Sequence, residues 1–280
     1  IAFWCFYSFI AMLNRRALRE ECGERKKQEP ILAVTVTGVL AVIYVIFCSI
    51  QVGCLFLGRV KGSLPDGYTY ASYAREGFFQ LLWVCIINLA IVLTCLSLFG
   101  ESRVLKGLLA LISMCTCILA ASSAYRMILY ISVYKLTFLR ILVLWALGVI
   151  GLMLAGIFLR IFHPAFPLLR YQTAVVTVCY LFLAFAKPDY WIASYNCSLT
   201  AEFEENEDGW RYSEDYHYLS SLSADAAPVL LSEEGITGFS EELEGYCRRM
   251  EDKANSCGIR SFNLSRYLAG KALENREGNG

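Results

Sequence analysis

Residues 139–161 read LRILVLWALGVIGLMLAGIFLRI, an apolar run with one arginine near each end. A helix needs about 20 such residues to cross the hydrocarbon core of a bilayer. Four further segments have comparable length and character, at 31–57, 78–99, 106–132 and 169–187. The sequence therefore predicts five complete membrane-spanning helices.

The overall composition agrees with a membrane protein. Of the 280 residues, 57% are hydrophobic and 18% are charged, whereas soluble domains contain about 25% charged residues. The apolar excess lies in residues 1–187, and residues 188–280 have an ordinary, acidic composition. This distribution excludes a single soluble domain and a disordered chain. We expect an all-α fold, a polytopic transmembrane helical bundle with a small C-terminal helical extramembrane domain.

Charge is distributed unevenly although the formal net charge is zero. Residues 1–187 hold 17 Lys and Arg against 7 Asp and Glu, and residues 188–280 hold 8 against 18. An acidic tail would repel the phosphates of nucleic acid, so we expect no nucleic-acid partner. The partners that fit this charge distribution are the lipid bilayer and a membrane or envelope protein.

Basic residues in the loops predict the domain organisation. Residues 1–13 are too few to cross a bilayer and are predicted to be the end of a truncated transmembrane helix. Residues 14–30 carry six Lys and Arg, which predicts a cytoplasmic loop. Residues 31–187 then form the five-span bundle and 188–276 an acidic helical tail outside the cytoplasm. Residues 277–280 are predicted to be a disordered end.

Three residues inside the spans predict contacts between helices. Gly151 and Ala155 are four positions apart, and small residues at this spacing let helices approach closely in lipid. Asn88 lies near the middle of its span and is expected to form an interhelical hydrogen bond. We interpret these positions as bundle packing and not as a binding site.

Charged and aromatic residues cluster at one predicted membrane surface. The stretch 73–80 reads YAREGFFQ, and 125–140 reads YRMILYISVYKLTFLR. A charge within a span is by default a functional hypothesis, and such a cluster could hold an anionic headgroup or another phosphate. The candidate headgroup or anion-binding residues are Arg75, Glu76, Arg126, Tyr130, Tyr134 and Arg140. The simpler interpretation is interfacial anchoring, which the pattern favours because snorkelling accounts for a charge near the surface.

The tail shows the patterns of short helices. The stretch 215–228 reads DYHYLSSLSADAAP, which predicts a helix with Leu219 and Leu222 facing inward and Pro228 near its end. Asn263 precedes another apolar pattern and is expected to be the N-cap of a later helix.

The chain shows no motif that predicts catalysis. His163 and His217 are its only histidines and lie on opposite sides of the predicted membrane, so we expect no metal site. No catalytic residue and no cofactor is predicted either. Cys247 and Cys257 are a candidate disulfide pair if the tail lies outside the cytoplasm.

Four stretches resemble a known family. They are YAREGFFQL at 73–81, RMILYISVYKLTFLR at 126–140, PDYWIASYN at 188–196 and DYHYLSSLSADAAP at 215–228. As a set they are similar to bacterial polytopic membrane proteins known as domain of unknown function four-one-seven-three, with a sister family four-one-five-three. The resemblance covers about 60–228 and implies a bacterial plasma-membrane protein with further N-terminal spans. The family usually has glycine in a Tyr-Gly-Leu-Thr turn where this sequence has Lys135.

The resemblance implies no function, so the expectation for function depends on the residues. The absence of a catalytic constellation favours a non-enzymatic sensor, scaffold or regulatory partner in the cell envelope. The alternative is a transporter or a lipid-linked transfer enzyme that uses the Arg, Tyr and Glu cluster at the outer face.

Overall fold

The computed structural model of the protein describes residues 29–61, 70–100, 102–202, 217–232, 240–255 and 263–279. These residues form helices joined by turns, and no β-strand occurs among them. The α-helices are α1 (Pro30–Lys61), α2 (Tyr70–Leu98), α3 (Arg103–Tyr134), α4 (Phe138–Phe162), α5 (Leu168–Phe185), α6 (Pro188–Glu202), α7 (Ala227–Leu230), α8 (Ser240–Asn255) and α9 (Leu264–Asn279). A 3₁₀ turn, Ala224–Ala226, immediately precedes α7.

Helices α1 to α5 are long and apolar enough to cross a membrane. The spanning portions are Pro30–Gly53, Phe79–Leu98, Arg103–Ser132, Phe138–Phe162 and Leu168–Phe185. Helices suit the bilayer because their backbone polar groups bond within the segment. The five predicted spans and the all-α polytopic fold are therefore confirmed, and the chain is an integral membrane protein. The predicted helix end at 1–13 and nearly all of the loop at 14–30 lie outside the described residues.

The chain divides into two compact units. The first consists of Ile1–Leu129 and Ala146–Cys179, and the second of Tyr130–Trp145 and Tyr180–Gly280. The end of α3, the start of α4 and the turn between them therefore belong to the same unit as the tail. The C-terminal domain thus includes part of a membrane hairpin.

Buried polar side chains join α1 and α2 to α3 in the first unit. Asn88 is fully buried, and its Nδ2 donates a hydrogen bond to Thr116 Oγ1 at 3.0 Å. The Cys85 thiol points at the carbonyl oxygen of Thr116 and the Cys48 thiol at that of Cys115, at 3.8 and 3.5 Å. The predicted interhelical bond of Asn88 is confirmed. Such bonds add to packing in lipid, where apolar contact alone drives helices together weakly.

Helices α4 and α5 are in close contact at Gly156. A Cβ atom added to Gly156 would lie 2.3 Å from two ring carbons of Tyr171, so only glycine fits there without a shift. The Tyr171 hydroxyl also donates to Leu152 O at 3.0 Å, which holds the ring in this position. At this point the Tyr171 ring of α5 packs against the backbone of α4 and not against a side chain.

The close contact differs from the one predicted. Gly151 and Ala155 are both exposed, and a Cβ added to Gly151 would meet no atom of another described helix within 4 Å. Gln172, the residue after Tyr171, also binds the backbone of α4, since it donates a hydrogen bond to Met153 O at 2.9 Å. The face of α4 that receives α5 is therefore the one that carries Gly156.

The second unit has an apolar core of its own. Its largest fully buried side chains are Ile192, Leu219, Leu230, Tyr246 and Met250. Leu222 is also buried, so the inward direction predicted for Leu219 and Leu222 is confirmed. Leu136 and Ile141 of the hairpin pack against the same core. The tail and the hairpin turn therefore exclude water together.

The prediction of one helix over 215–228 is wrong. Residues 217–220 are helical, and the chain then breaks before the 3₁₀ turn. Ser223 caps that turn, since its Oγ accepts a bond from the Asp225 N–H at 3.4 Å. Pro228 lies in the first turn of α7, not near a helix end. Proline suits that position because a first-turn N–H needs no helical partner.

The last helix begins where the sequence predicts. Asn263 Oδ1 accepts the Ser265 N–H at 2.9 Å, which confirms Asn263 as the N-cap of α9. The helix continues to Asn279 and so includes most of 277–280, for which the sequence predicts disorder.

Replacing Gly156 by alanine should destabilise the first unit. The added methyl would collide with the Tyr171 ring, and overpacking of this kind costs about 1–3 kcal/mol. We expect a lower apparent melting temperature of the purified protein in detergent micelles. Gly151→Ala is the matched control, because an added Cβ meets no atom of another described helix within 4 Å there. Equal melting temperatures for the two variants would contradict the close contact.

Candidate functional site

The turn between α3 and α4 is short, and its backbone needs partners from elsewhere. It comprises residues 135–137. Lys135 has φ 62°, the left-handed conformation that commonly ends a helix and that favours glycine. The last carbonyls of α3 and the first N–H groups of α4 have no partner within their helices. Side chains of the second unit supply several of these partners.

Arg140 binds the carbonyl end of α3. Its guanidinium donates hydrogen bonds to Tyr134 O and Lys135 O. The same group lies 4.5 Å from the centre of the Tyr130 ring, and the rings of Tyr130 and Tyr134 are 4.8 Å apart. A cation here complements the negative end of the helix dipole and stacks on an aromatic face. Arg140 therefore has a structural task in this unit.

Asn196 on α6 binds both polar groups of one residue in the turn. Its Oδ1 accepts the Leu136 N–H at 2.8 Å, and its Nδ2 donates to Leu136 O at 2.9 Å. Asn196 is only 3% exposed, so water has little access to either bond. Asparagine suits the task because its amide offers a donor and an acceptor side by side.

Tyr218 binds the first amide of α4, next to the turn. Its hydroxyl oxygen accepts the Phe138 N–H at 3.0 Å. Burial raises the pKa of Tyr218, and Asp189 adds to the increase, whereas the Phe138 bond and Arg140 oppose it. The hydroxyl therefore stays protonated at neutral pH. We call the bonds from Asn196 to Leu136 and from Tyr218 to Phe138 the turn clamp.

Two other side chains of the second unit bind the backbone of Ser223. Asp189 Oδ2 accepts the Ser223 N–H at 3.1 Å, and the Tyr246 hydroxyl donates to Ser223 O at 2.8 Å. Burial raises the pKa of Tyr246, although Arg249 nearby opposes the increase, so this hydroxyl also remains a donor. Asp189 and Asn196 are seven residues apart and lie on one face of α6. One helix face thus holds both the tail segment and the membrane turn.

The start of α6 combines a residue in the left-handed conformation with two exposed aromatic side chains. Lys187 has φ 48° and is followed by Pro188, which ends the last span and begins α6. Lys187 Nζ lies 4.0 Å from Asp225 Oδ1. Tyr190 and Trp191 are 38% and 61% exposed, as expected for residues in the headgroup layer.

The predicted headgroup cluster is brought together only in part. Tyr130, Tyr134 and Arg140 are in contact with one another in the second unit. Arg126 belongs to the first unit, is buried, and donates to Gln51 Oε1 at 2.9 Å. Arg75 and Glu76 lie on α2, but their side chains are outside the described part of the structure. Cys257, the partner of Cys247 in the candidate disulfide, is also outside the described residues. The anion site and the disulfide stay predictions.

The residues of the turn clamp are absent from the site predicted from the sequence. Asn196 and Tyr218 carry no charge and no catalytic signature. Both lie in stretches on which the family resemblance is based, at 188–196 and 215–228. Both stretches contact another of the four, 126–140, at the turn between α3 and α4. The signal that could have identified the clamp is the co-occurrence of these motifs in one chain.

A comparison with protein families identifies the group to which the chain belongs. A model described as a domain of unknown function (DUF4153) matches residues 1–233. The chain therefore belongs to this family, which the motif resemblance named as the sister family. The name four-one-seven-three and the sister relation are not confirmed. No curated protein and no solved structure matches the chain.

Replacing Asn196 should release the turn. Asn196→Ala removes both bonds to Leu136, and each buried group left unbonded costs about 1–3 kcal/mol. Asn196→Asp should be no better, because its carboxylate would face the Leu136 carbonyl. We expect faster hydrogen exchange of the Leu136 and Phe138 amides, measured by mass spectrometry on the full chain. Ser198→Ala is the control, since that exposed hydroxyl donates to Tyr195 O in its own helix and, among the described residues, takes no part in the turn. Unchanged exchange in Asn196→Ala would contradict the clamp.

Glycine at position 135 should stabilise the turn relative to alanine. A left-handed φ costs a residue with a Cβ roughly 1 kcal/mol that glycine does not incur. We compare Lys135→Gly with Lys135→Ala because both lack the lysine side chain, so only the backbone effect differs. The melting temperature of the glycine variant should be the higher one. A lower or equal value would show that the turn does not need this conformation.

Proposed function

We propose that this member of the DUF4153 family is a non-enzymatic integral membrane protein whose C-terminal helical domain regulates the hairpin of α3 and α4. The observation that supports this function is the turn clamp. Asn196 and Tyr218 come from separate tail segments and bind backbone groups of Leu136 and Phe138. A change in the tail must either break these bonds or move the turn with it.

The strength of the clamp suits a switch. It satisfies three backbone groups, two through the buried amide of Asn196 and one through the more exposed hydroxyl of Tyr218. Losing the two bonds of Asn196 costs on the order of a few kcal/mol. A ligand needs a difference of about 5.5 kcal/mol between two states to shift a population from 1:99 to 99:1. A partner that binds the tail in one state only could therefore open or close the clamp. This supports a role as sensor, scaffold or regulatory partner.

We place the protein in a bacterial plasma membrane with the tail outside the cytoplasm. The basic residues of 14–30 support this orientation, because such loops stay in the cytoplasm. An extracytoplasmic tail would meet envelope proteins. Its 18 acidic against 8 basic residues favour a partner with a basic surface.

One observation favours a second candidate function, a transporter or a lipid-linked transfer enzyme. Arg126 is buried within a membrane span and bonds to Gln51 on another helix. Charged residues in such positions mark substrate or ion pathways in many membrane proteins. Arg75 and Glu76 would complete that site. Against it, Arg140 is occupied by the end of α3.

Complementation of a deletion strain separates the two functions. The strain receives full-length genes that carry Asn196→Ala or Tyr218→Phe, which weaken the clamp, or Arg126→Ala or Arg126→Lys, which alter the buried charge. Membrane levels of each variant are measured by blotting, and Ser198→Ala is the control. Regulation through the clamp predicts that Asn196→Ala fails, that Tyr218→Phe is impaired, and that the Arg126 variants complement.

The opposite pattern would favour the alternative. If both Arg126 variants fail at normal membrane levels while Asn196→Ala complements, the protein acts through the buried charge. Tyr218→Phe keeps the packing of the ring, so it tests the clamp even if Asn196→Ala does not accumulate. Normal complementation by both clamp variants would reject regulation through the clamp.

A further inference from the structure

We infer that one face of α6 lies against the lipid headgroup layer at the membrane surface and holds the second unit there. Tyr190, Trp191, Ser194, Tyr195 and Ser198 are all exposed, and we call these five residues the aromatic face. Binding to lipid through this face does not require the turn clamp to open or close. The inference is therefore independent of the function proposed above.

The helical repeat places the aromatic face opposite the core of the second unit. Successive residues of an α-helix are about 100° apart, so the five residues of this face share one side of α6. Ile192, Ala193, Asn196 and Cys197 share the other side and are buried. All of these except Asn196 belong to the apolar core. The core therefore covers one side of α6 and leaves three aromatic rings exposed on the other.

Contacts at two points of α6 keep it at the level of the membrane boundary. Trp191 Nε1 donates a hydrogen bond to Ala186 O at 3.1 Å, immediately after the last span. Five residues further along α6, Asn196 binds Leu136 in the turn between the third and fourth spans. Because successive spans cross the bilayer in opposite directions, the end of the last span and this turn lie at the same membrane surface. The aromatic face is on the side of α6 away from the turn, and so it faces the surrounding lipid.

The exposed apolar surface of the last span leads directly to α6. Phe182 and Phe185 are 72% and 79% exposed, as expected for side chains that contact hydrocarbon. The bond from Trp191 to Ala186 then holds the Trp191 indole beside the carbonyl end of α5. The Tyr190 ring meets that indole edge-on, with the ring centres 5.9 Å apart. Side chains suited to hydrocarbon are thus followed by side chains suited to headgroups.

The composition of the aromatic face fits the headgroup layer. Asp189 is the charged residue of 188–198, and its carboxylate accepts the Ser223 N–H, so it is directed at the tail. The aromatic face itself has rings and hydroxyl groups but no charge. Tyrosine and tryptophan are enriched at membrane–water interfaces because their rings are apolar and their polar ends are hydrated. The face should therefore bind neutral lipids as well as anionic ones.

Fluorine NMR of the full chain in phosphatidylcholine nanodiscs tests where the aromatic face lies. The protein is labelled with fluorotryptophan, and Trp191→Phe and Trp83→Phe assign the two resonances of interest. One lipid nitroxide lies near the headgroup, a second lies at the end of the acyl chain, and a gadolinium chelate samples the water. The nitroxide near the headgroup should broaden the Trp191 resonance roughly twofold or more over the other nitroxide, because interfacial helices insert about 5–10 Å.

Trp83 is the control for access, since it is exposed within the span Phe79–Leu98. Its resonance should respond to the lipid nitroxides and not to the gadolinium chelate. Stronger broadening of Trp191 by the chelate than by either nitroxide would place the face in water and overturn the inference. No broadening of Trp191 by any of the three reagents would show that a protein surface covers the face, which also overturns it.

A charge on the aromatic face provides a second test. Ser194→Asp places a carboxylate on this face, and Ser194→Asn places a neutral group of the same shape there. We expect the aspartate variant to lose most of the nitroxide broadening at Trp191 and the asparagine variant to keep it. Replacing part of the phosphatidylcholine by phosphatidylglycerol should leave the broadening of the unmodified protein unchanged. Equal broadening in the two Ser194 variants, or a contact that forms only with phosphatidylglycerol, would contradict an uncharged face in lipid.

Discussion

The pair of hydrogen bonds between Asn196 and Leu136 is the interaction on which the second unit depends. A turn between two membrane helices leaves backbone groups without helical partners, and at Leu136 one buried amide side chain satisfies both. Because Leu136 and Ile141 also join the tail core, the bonds and the apolar packing support each other. Neither the hairpin end nor the tail is complete as a separate piece.

Side chains bound to backbone groups recur in both units. In the first unit, Tyr171 and Gln172 donate to carbonyls of α4, and Cys85 directs its thiol at a carbonyl of α3. In the second, Tyr246 donates to Ser223 O. In lipid, apolar side chains gain little from leaving their surroundings, so polar bonds and close packing contribute more to helix association than in water. These bonds fix the positions of the segments that they join and also stabilise each unit.

The sequence predicts what depends on neighbouring residues. The five spans follow from the length of apolar runs, and the cap at Asn263 follows from its place before a helix. The turn clamp could not be predicted in this way, because Asn196 is 60 residues from Leu136, and Tyr218 is 80 from Phe138. No local pattern says which distant backbone group an amide or hydroxyl will meet. The contact at Gly156 has the same character, since small residues occur on more than one face of α4.

The separation in sequence between Asn196 and the turn also sets an order of events during synthesis. Ribosomes add about 5–20 residues per second, so the 60 residues between Leu136 and Asn196 take roughly 3–12 s to emerge. The hairpin enters the bilayer before its clamp exists. Arg140 is already present then and can bind the carbonyls of Tyr134 and Lys135. The carbonyl groups of Tyr134 and Lys135 can therefore be bound during insertion. The amides of Leu136 and Phe138 are bound only after the tail has left the ribosome.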